Sequence, residues 1–388
     1  MKFIKDYLKT ILSLIKIYLR TKNKKKNLIF YFPVKIYQNN IIEIVRSLNK
    51  KFNVFLIYNS RTKNEIIKEK NSMFLDFNLL KFIVLDKFFL KNITHFFSSY
   101  ISYVYPPNST NVYISHDIYD APMIDTKFEK ELFIRINKLD YIFVSSNISK
   151  KYFLKKFQKY KLYQNPKLFN TGYLKLDHLI NLLKKRKKKK ENKKIILLAP
   201  GYFHGYKKYN MMPKIEEIIK VLLEFKEFKI IFRPHPLDLT KKGNFNLVKK
   251  TNIKFRKYKN FKLDDKVSYN DSFINSDILI TDLSSTAYTY CFSTLKPVLF
   301  FSRNEAELRN QSFFKTYFFL DRKKIGAIIK KAKLIPSQAK KFMSKEYHFQ
   351  KKIINLRKQR IEYLHSSKRR TIEAINKIVK TNHRSLKA

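Results

Sequence analysis

The sequence predicts an α/β fold made of two Rossmann-like domains that face each other across a cleft. Short apolar runs rich in aromatic and β-branched residues alternate with helix-like segments, which is typical of a parallel sheet covered on both faces. A Lys-rich run at residues 184–194 interrupts this alternation, and a second alternating series follows it. The chain has 388 residues, 44% of them hydrophobic, which is enough for two cores.

The first alternating series occupies residues 27–183, which we predict to be the N-terminal α/β domain. Its strands are predicted at 28–34, 53–58, 82–86, 111–115 and 140–145, and its helices at 38–49 and 62–70. The like charges of residues 184–194 repel one another and have nothing to bury, so this run is expected to be a solvated linker.

The second series occupies residues 195–335, the predicted C-terminal α/β domain. Strands are expected at 195–200, 229–233, 278–281 and 297–301, and helices at 213–226 and 284–294. Residues 336–388 are basic and predicted to be helical, and the last of them are expected to pack back onto the first domain. In such sheets ligands bind beyond the carboxyl ends of the strands.

Residues 1–26 are predicted to contain a basic amphipathic helix. Its apolar residues recur at helical spacing, with lysines and an arginine among them, as in helices that lie in the headgroup plane of a membrane. The apolar positions are Ile4, Leu8, Ile11, Leu12, Ile15 and Leu19. A helix packed on its own domain is the alternative. No apolar run reaches the length of about 20 residues that spans a bilayer.

The charge of the chain is strongly positive, with 83 Lys+Arg against 30 Asp+Glu and a formal net charge of +53. Such a surface attracts phosphate, whether in nucleic acid, an anionic leaflet or an anionic substrate. AT-rich codon usage is an alternative origin of the many lysines. The single cysteine, Cys291, excludes an internal disulfide and a cysteine-built zinc site, and we predict neither a metal nor a cofactor.

The most informative stretch runs from the strand at 278–281 into a helix. Asp282 or Ser284 is expected to cap that helix, and the hydroxyls of Ser284, Ser285 and Thr286 lie at its start. A helix N-terminus with such donors suits a phosphate or a pyrophosphate. An ordinary capped helix is the alternative.

A second stretch, KIIFRPHP, ends a predicted strand with Arg233 and His235, each followed by proline. The prolines fix the backbone and hold both side chains at the carboxyl end of the strand. Arg233 is expected to bind phosphate oxygens, and His235 to donate to a phosphate or to act as an acid. A structural role for the histidine is the alternative.

A third stretch, NVYISHDIYDAP, places His116 after a strand of the first domain. We predict that His116 is a general base for an acceptor hydroxyl, oriented by Asp117 or Asp120. A surface-loop histidine is the alternative.

Two glycine-containing segments are expected to approach a nucleotide closely, since glycine leaves room for a ligand beside the backbone. One is TGYLKLD, with Gly172, and the other is APGYFHG, with Pro200, Gly201 and His204. Plain turns are the alternative for both.

Together, TGYLKLD, APGYFHG, RPHP and SDILITDLSST with its downstream KPVLFF resemble the CDP-glycerol glycerophosphotransferase family, which includes teichoic acid primases and polymerases. The resemblance covers residues 110–302 and extends more distantly to the two-domain GT-B glycosyltransferases. It implies transfer of glycerol phosphate from CDP-glycerol, bound mainly by the second domain, to a lipid-linked or polymeric acceptor on the first. It also implies that the pyrophosphate meets Ser284 and Ser285, with Arg233 and His235 nearby.

The sequence departs from the family pattern at two places. Where the family has His-Gly, often preceded by tryptophan, this sequence has His116-Asp117 preceded by Ser115. Where the family often has an acidic residue after the serine pair, this sequence has Thr289. A nucleotide-sugar glycosyltransferase and an inactive family member therefore stay open. A nucleic-acid-binding protein is the alternative from another class, although no nucleic acid is expected because no recognition motif is present. The expected location is the cytoplasmic face of an anionic membrane.

Overall fold

The computed structural model describes residues 2–22, 25–32, 35–58, 69, 71–75, 86–102, 104–115, 118–119, 126–162, 166–185, 192–203, 208–239, 244–266, 268–344 and 346–381. The chain divides into two compact units. The first unit comprises Met1–Asp120, Asp125–Asp177 and Ile361–Ala388, and the second comprises Ala121–Ile124 and His178–Arg360. The chain therefore leaves the first unit before the Lys-rich segment and returns to it at its end.

Parallel strands form one sheet in each unit. In chain order they are β1 (Asn27–Phe32), β2 (Asn53–Tyr58), β3 (Ser72–Phe74), β4 (His95–Ser98), β5 (Thr110–Ile114), β6 (Tyr141–Val144), β7 (Lys167–Asn170), β8 (Lys194–Leu198), β9 (Phe228–Phe232), β10 (Phe261–Leu263), β11 (Ile278–Thr281), β12 (Val298–Phe301) and β13 (Gly326–Ile329).

Helices lie before, between and after these strands. In chain order they are α1 (Lys2–Arg20), α2 (Lys35–Leu48), α3 (Asp86–Phe89), α4 (Thr126–Ile136), α5 (Asn147–Tyr160), α6 (Leu174–Lys185), α7 (Ile215–Leu223), α8 (Phe245–Phe255), α9 (Asn270–Asn275), α10 (Thr286–Thr294), α11 (Glu305–Arg309), α12 (Tyr317–Leu320), α13 (Arg322–Ile325), α14 (Ile335–Ser344), α15 (Glu346–Arg360) and α16 (Ser367–Lys380). No helix in the described ranges is long and apolar enough to cross a membrane.

The sheet of the first unit has the strand order β3-β2-β1-β4-β5-β6-β7 in the described residues, with every pair parallel. The central strand β1 is buried at every residue, because helices cover both faces. Phe30 packs in a cluster with α2 and α16, whereas Ile29 packs in a cluster with Leu14 and Ile17 of α1. The last helix of the chain is thus part of the first core.

Side chains of the first unit fix the returning C-terminal segment. The carboxylate of Asp177 accepts hydrogen bonds from the amides of His365 (2.7 Å) and Ser367 (3.0 Å). The carboxylate of Glu362 accepts from the amide of Asn147 (3.1 Å) and from the side chain of Asn170. These bonds hold the start of α16 against the core that it helps to cover.

The sheet of the second unit has the order β10-β9-β8-β11-β12-β13, again entirely parallel. Counted from β8, this is the doubly wound order 3-2-1-4-5-6, in which the chain reverses its direction of winding between β8 and β11. Helices α7, α8 and α14 share one hydrophobic cluster with alternate residues of these strands. A ligand crevice is therefore expected beyond the carboxyl ends of β8 and β11.

The predicted fold class of two Rossmann-like α/β units is confirmed. The expected helix at 62–70 and the expected strand at 82–86 fall almost entirely outside the described residues, and α3 begins at Asp86. The strands that were not predicted are β3, β4, β7, β10 and β13. Each has only three or four residues, so the apolar run is too short to stand out.

Candidate functional site

The carboxyl ends of three adjacent strands of the second unit, β9, β8 and β11, are joined by backbone hydrogen bonds. The amide of Arg233 donates to the carbonyl of Leu198 (2.8 Å), and the amide of Ala199 donates to the carbonyl of Ile280 (2.9 Å). The hydroxyl of Thr281 donates to the carbonyl of Ala199 (2.6 Å). The segments that follow these strands therefore start side by side at the expected crevice.

Asp282 connects the segments after β11 and β8. Its side chain is almost fully buried, at 2% exposure. Its Oδ1 accepts from the amide of Gly201 (2.8 Å) and its Oδ2 from the amide of Met211 (2.8 Å). The side chain of Asn210 donates to the carbonyl of Gly201 (2.9 Å) and so closes the loop on itself. One carboxylate thus fixes both ends of the chain between Gly201 and Met211.

Burial raises the pKa of Asp282 from 3.8 to about 6, even though the amides that bind it lower the pKa. The carboxylate is therefore a structural group that binds amides, and it is directed at the protein's own backbone. Of the two residues expected to cap the following helix, Asp282 is therefore not the one that does so. Its predicted contact with a donor phosphate stays a prediction.

Gly201 is required by the close approach of Asp282. A Cβ atom on Gly201 would lie 2.9 Å from Oδ1 of Asp282 and 3.6 Å from Cβ of Ser284. A side chain at this position would push the loop after β8 away from the loop after β11. Glycine therefore brings the two loops together and keeps the space beside Ser284 narrow.

Helix α10 begins beside Gly201 with three hydroxyl residues. Ser285 is the N-cap residue and makes no side-chain capping bond, whereas Oγ of Ser284 accepts from the amide of Thr286 (3.3 Å). Ser284 is buried, and Ser285 and Thr286 are half-buried. The positive end of the helix dipole and these hydroxyls lie at the reversal point of the sheet, where a phosphate is favoured.

Arg233 follows β9 and is held by the protein itself. Its side chain is buried at 7% exposure. Nη1 donates to Oδ2 of Asp264 (2.7 Å), and Nη2 donates to the carbonyl of Lys266 (2.8 Å). The guanidinium therefore connects the loop after β9 to the loop after β10. Its predicted phosphate contact stays a prediction.

His235 is half-buried and has an oriented imidazole. Its Nδ1 lies 3.2 Å from the amide of Leu237, which donates to it, so the neutral ring carries its proton on Nε2. The ring centroid is 5.4 Å from that of Tyr202 on the loop after β8. This tautomer makes Nε2–H a hydrogen-bond donor, which suits a phosphate oxygen.

The other predicted site residues are placed differently. Gly172 lies in the first unit with a φ of +78°, and a Cβ there would lie 3.0 Å from the carbonyl of Glu362 and 3.1 Å from Cβ of Ser367. The side on which a Cβ would lie thus faces the returning C-terminal segment, and the predicted nucleotide contact of Gly172 stays a prediction. Pro200 is buried beside Gly201. The predicted residues His116, Asp117, Asp120 and His204 lie outside the described residues.

Sequence reasoning missed several residues that build this site. Asn210 and Met211 lack a motif, and Asp264 follows β10, which is only three residues long. Tyr202 lies inside a segment that was singled out for its glycines. Within the ranges described, no group of three or more His, Cys, Asp or Glu side chains is arranged to hold a metal ion.

Two doubly wound parallel sheets, one of them with a phosphate-suited helix start at its reversal point, define a nucleotide-binding α/β protein of the GT-B type. A solved structure of a variant of the wall teichoic acid polymerase TagF, soaked with CDPG, is similar at a TM-score of 0.65 and 14% identity, covering 97% of this chain and 98% of that chain. UDP-GlcNAc 2-epimerase of Methanocaldococcus jannaschii, in complex with UDP-GlcNAc and UDP, is similar at a TM-score of 0.58 and 12% identity, covering 90% and 99%. A search of curated proteins finds no match.

Residues 14–377 match the model of the CDP-glycerol:poly(glycerophosphate) glycerophosphotransferase family, and the chain belongs to that family. The prediction of a transferase of this type is therefore confirmed. The family uses a CDP-glycerol donor and a polymer acceptor, and the chain shares that donor and acceptor class.

Replacing Asp282 with asparagine is expected to destabilise the protein. An asparagine presents one acceptor and one donor, so either the Gly201 amide or the Met211 amide loses its partner. We expect a loss of about 1–3 kcal/mol in the free energy of unfolding at neutral pH, measured by denaturant titration. Asp265→Asn, an exposed neighbour of the site, is the matched control and is expected to change little.

The free energy of unfolding is expected to fall with rising pH because of Asp282. Because the pKa of Asp282 is higher in the folded state, the native protein holds its proton more tightly, and stability falls as the pH rises from about 4 to about 6. The shift corresponds to about 3 kcal/mol, all of it lost above pH 6. Asp282→Asn lacks this titration, so the difference in free energy of unfolding between wild type and the variant becomes smaller as the pH rises from about 4 to about 6. Parallel pH curves for the two proteins would contradict the assignment.

Proposed function

We propose that the chain transfers glycerol phosphate during synthesis of a teichoic acid or a related surface polymer, with its donor site at the β8–β11 reversal point. The observation that carries this is the assembly of Gly201, His235 and Ser284 on adjacent strand ends in a member of this family. The likeness to TagF, a wall teichoic acid polymerase, supports the polymer class.

The proposed chemistry is an in-line displacement at the β-phosphorus of CDP-glycerol. The acceptor oxygen forms a bond to this phosphorus as the bond to the bridging oxygen of CMP breaks, and CMP leaves. We assign removal of the acceptor proton to His116, oriented by Asp117 or Asp120. The Nε2–H of His235 donates to the phosphate as charge moves onto the leaving group.

The donor diphosphate is assigned to the start of α10, where the hydroxyls of Ser284, Ser285 and Thr286 surround the positive end of the dipole. Asp282 holds the backbone of this site. Pro200, Gly201 and His204 remain the candidates for contact with the nucleoside. Positioning and charge neutralisation then supply most of the acceleration, since this route needs no covalent enzyme intermediate.

A nucleotide-sugar transferase is the second candidate, because the fold also resembles that of an epimerase bound to UDP-GlcNAc and UDP. The donor base separates the two. We expect CDP-glycerol and CMP to raise the melting temperature, since a ligand that binds only the native state stabilises it. UDP and GDP sugars are expected to have little effect. Stabilisation by uridine nucleotides alone would favour the glycosyltransferase instead.

Both histidines are expected to be essential for transfer. His116→Ala and His235→Ala should each reduce CMP release from CDP-glycerol by about 100-fold or more, as is typical of lost acid–base groups. The folded state should be retained, as judged by circular dichroism. His348→Ala, an exposed histidine on α15, serves as the control and should keep full activity. Full activity in both site variants would refute the catalytic assignment.

We propose that α1 places the enzyme on the cytoplasmic face of an anionic membrane, where a lipid-linked acceptor is available. One face of α1 packs on the first unit through Leu14 and Ile17. A neighbouring stripe is exposed and wholly apolar, and its members are Ile4, Leu8, Leu12, Ile15 and Leu19. Lysines at positions 5 and 16 border the stripe and are exposed, as expected at a headgroup layer.

The exposed face continues beyond α1. Phe88 of α3 is exposed and contacts Tyr18, with 4.9 Å between ring centroids, and Nζ of Lys91 lies 4.4 Å from the Phe88 ring. Aromatic rings next to lysines fit the boundary between acyl chains and anionic headgroups. The helix therefore packs on its domain and leaves an apolar stripe exposed, and this exposed stripe supports the proposed membrane contact.

Introducing charge on this stripe should remove the protein from membranes. The double variant Leu8→Glu, Leu12→Glu is expected to lose binding to vesicles that contain phosphatidylglycerol, measured by co-sedimentation, because glutamates oppose both burial and charge attraction. Ile253→Glu, exposed on α8 of the second unit, is the control. Unchanged sedimentation of the double variant would refute the proposal.

A further inference from the structure

In the donor site proposed above, the arginine that the sequence indicates is already bound to the protein itself. Arg233, the arginine that the sequence indicates, is bound to Asp264 and to the carbonyl of Lys266. Moving that guanidinium to a ligand would leave the carboxylate of Asp264 buried, with only the hydroxyl of Ser272 and nearby amides around it. Breaking such a buried pair is costly.

Arg303 is a second arginine at the same edge of the sheet. β12 is the neighbour of β11, and Thr281 pairs with Phe300 in their register. β11 ends at Thr281 and β12 at Phe301, so Ser284 and Arg303 follow adjacent strand ends at the carboxyl edge of the sheet.

The side chain of Arg303 is half-buried and makes no hydrogen bond or ion pair with the rest of the described chain. The carboxylate nearest in sequence, Glu305, is already bound. It accepts from Ser302 Oγ (2.7 Å), and Arg322 Nη2 lies 2.9 Å from it in a fully buried pair. The guanidinium of Arg303 is therefore partly removed from water. Among the described residues, neither its charge nor its five donors have a protein partner.

The backbone on either side of Arg303 is firmly held. The amide of Ser302 donates to the carbonyl of Ile329 (2.8 Å), and the side chain of Asn304 donates to the carbonyl of Lys208 (3.1 Å). The loop is thus fixed to β13 on one side and to the chain that follows Gly201 on the other. A backbone held in this way positions the side chain before the ligand binds, so binding costs no further loss of backbone entropy.

We propose that Arg303 binds the diphosphate of the nucleotide donor, while Arg233 supports the backbone of the site. The inference rests on the proposed donor site at the start of α10. A planar guanidinium offers two parallel donors to phosphate oxygens and keeps its charge at every working pH. It would therefore neutralise the charge that builds up on CMP as it leaves.

The test compares Arg303→Gln with wild type by isothermal titration with CDP-glycerol and with CMP. Loss of a charged hydrogen-bonding group predicts a dissociation constant about 10- to 100-fold higher for CDP-glycerol, with an unchanged melting temperature of the free protein. Arg303→Lys should fall between the two, because it keeps the charge and loses the bidentate geometry. Arg256→Gln, an exposed arginine at the end of α8, is the matched control and should bind as wild type does.

Arg233→Gln should separate the two roles, since it should lower the melting temperature of the ligand-free protein by removing the partner of Asp264. Wild-type affinity for CDP-glycerol in Arg303→Gln would overturn the inference and leave the donor site standing. Failure of the wild-type protein to bind both CMP and CDP-glycerol would overturn the donor site, and the inference with it.

Discussion

The buried carboxylate of Asp282 is the interaction on which the candidate site depends. It is the point where the segment after β11 holds both ends of the segment after β8, through the amides of Gly201 and Met211. A buried charge costs free energy unless it is hydrogen-bonded, and burial raises the pKa of Asp282 for the same reason. The arrangement persists because the same bonds satisfy two backbone donors that no strand or helix uses.

The ionic groups of the second unit divide into those that hold its parts together and those that are available to a ligand. Arg233–Asp264, Arg322–Glu305 and Arg360–Asp321 are all buried pairs between different segments. Each joins a loop or a helix to another segment of the same unit. Such pairs contribute to a defined geometry more than to net stability, because desolvation offsets most of their attraction. Arg303 differs from these arginines because, among the described residues, its guanidinium forms no such pair, and its loop is held by the bonds of Ser302 and Asn304.

The sequence was most informative where strands are apolar along nearly their whole length. β1, β2, β9, β11 and β12 lie where their apolar runs indicate, since burial on both faces of a parallel sheet leaves no room for polar residues. The helix start after β11 was also predicted, because a strand, a turn and hydroxyl residues follow one another directly. The hydrogen bond at that helix start was not predicted, because whether Asp282 or Ser284 makes it depends on where Gly201 and Met211 lie.

Contacts between distant segments were beyond the sequence. Gly172 was singled out as a possible nucleotide contact, yet its neighbours are Glu362 and Ser367, almost 200 residues further along the chain. Arg233 was the arginine that the sequence indicated, yet its buried pair with Asp264 binds it to the protein itself. Residue type and strand position thus identified the edge of the sheet, while the role of each side chain depended on its tertiary partners.

The central claim is that a donor diphosphate binds where Asp282 joins the loop after β8 to the start of α10. Amide hydrogen exchange with and without CDP-glycerol tests this most directly, because it reports backbone protection segment by segment. The account predicts slower exchange in peptides that cover residues 199–203 and 284–288, with little change in β1 and β2. Binding of CDP-glycerol that leaves both of those segments unprotected would contradict it.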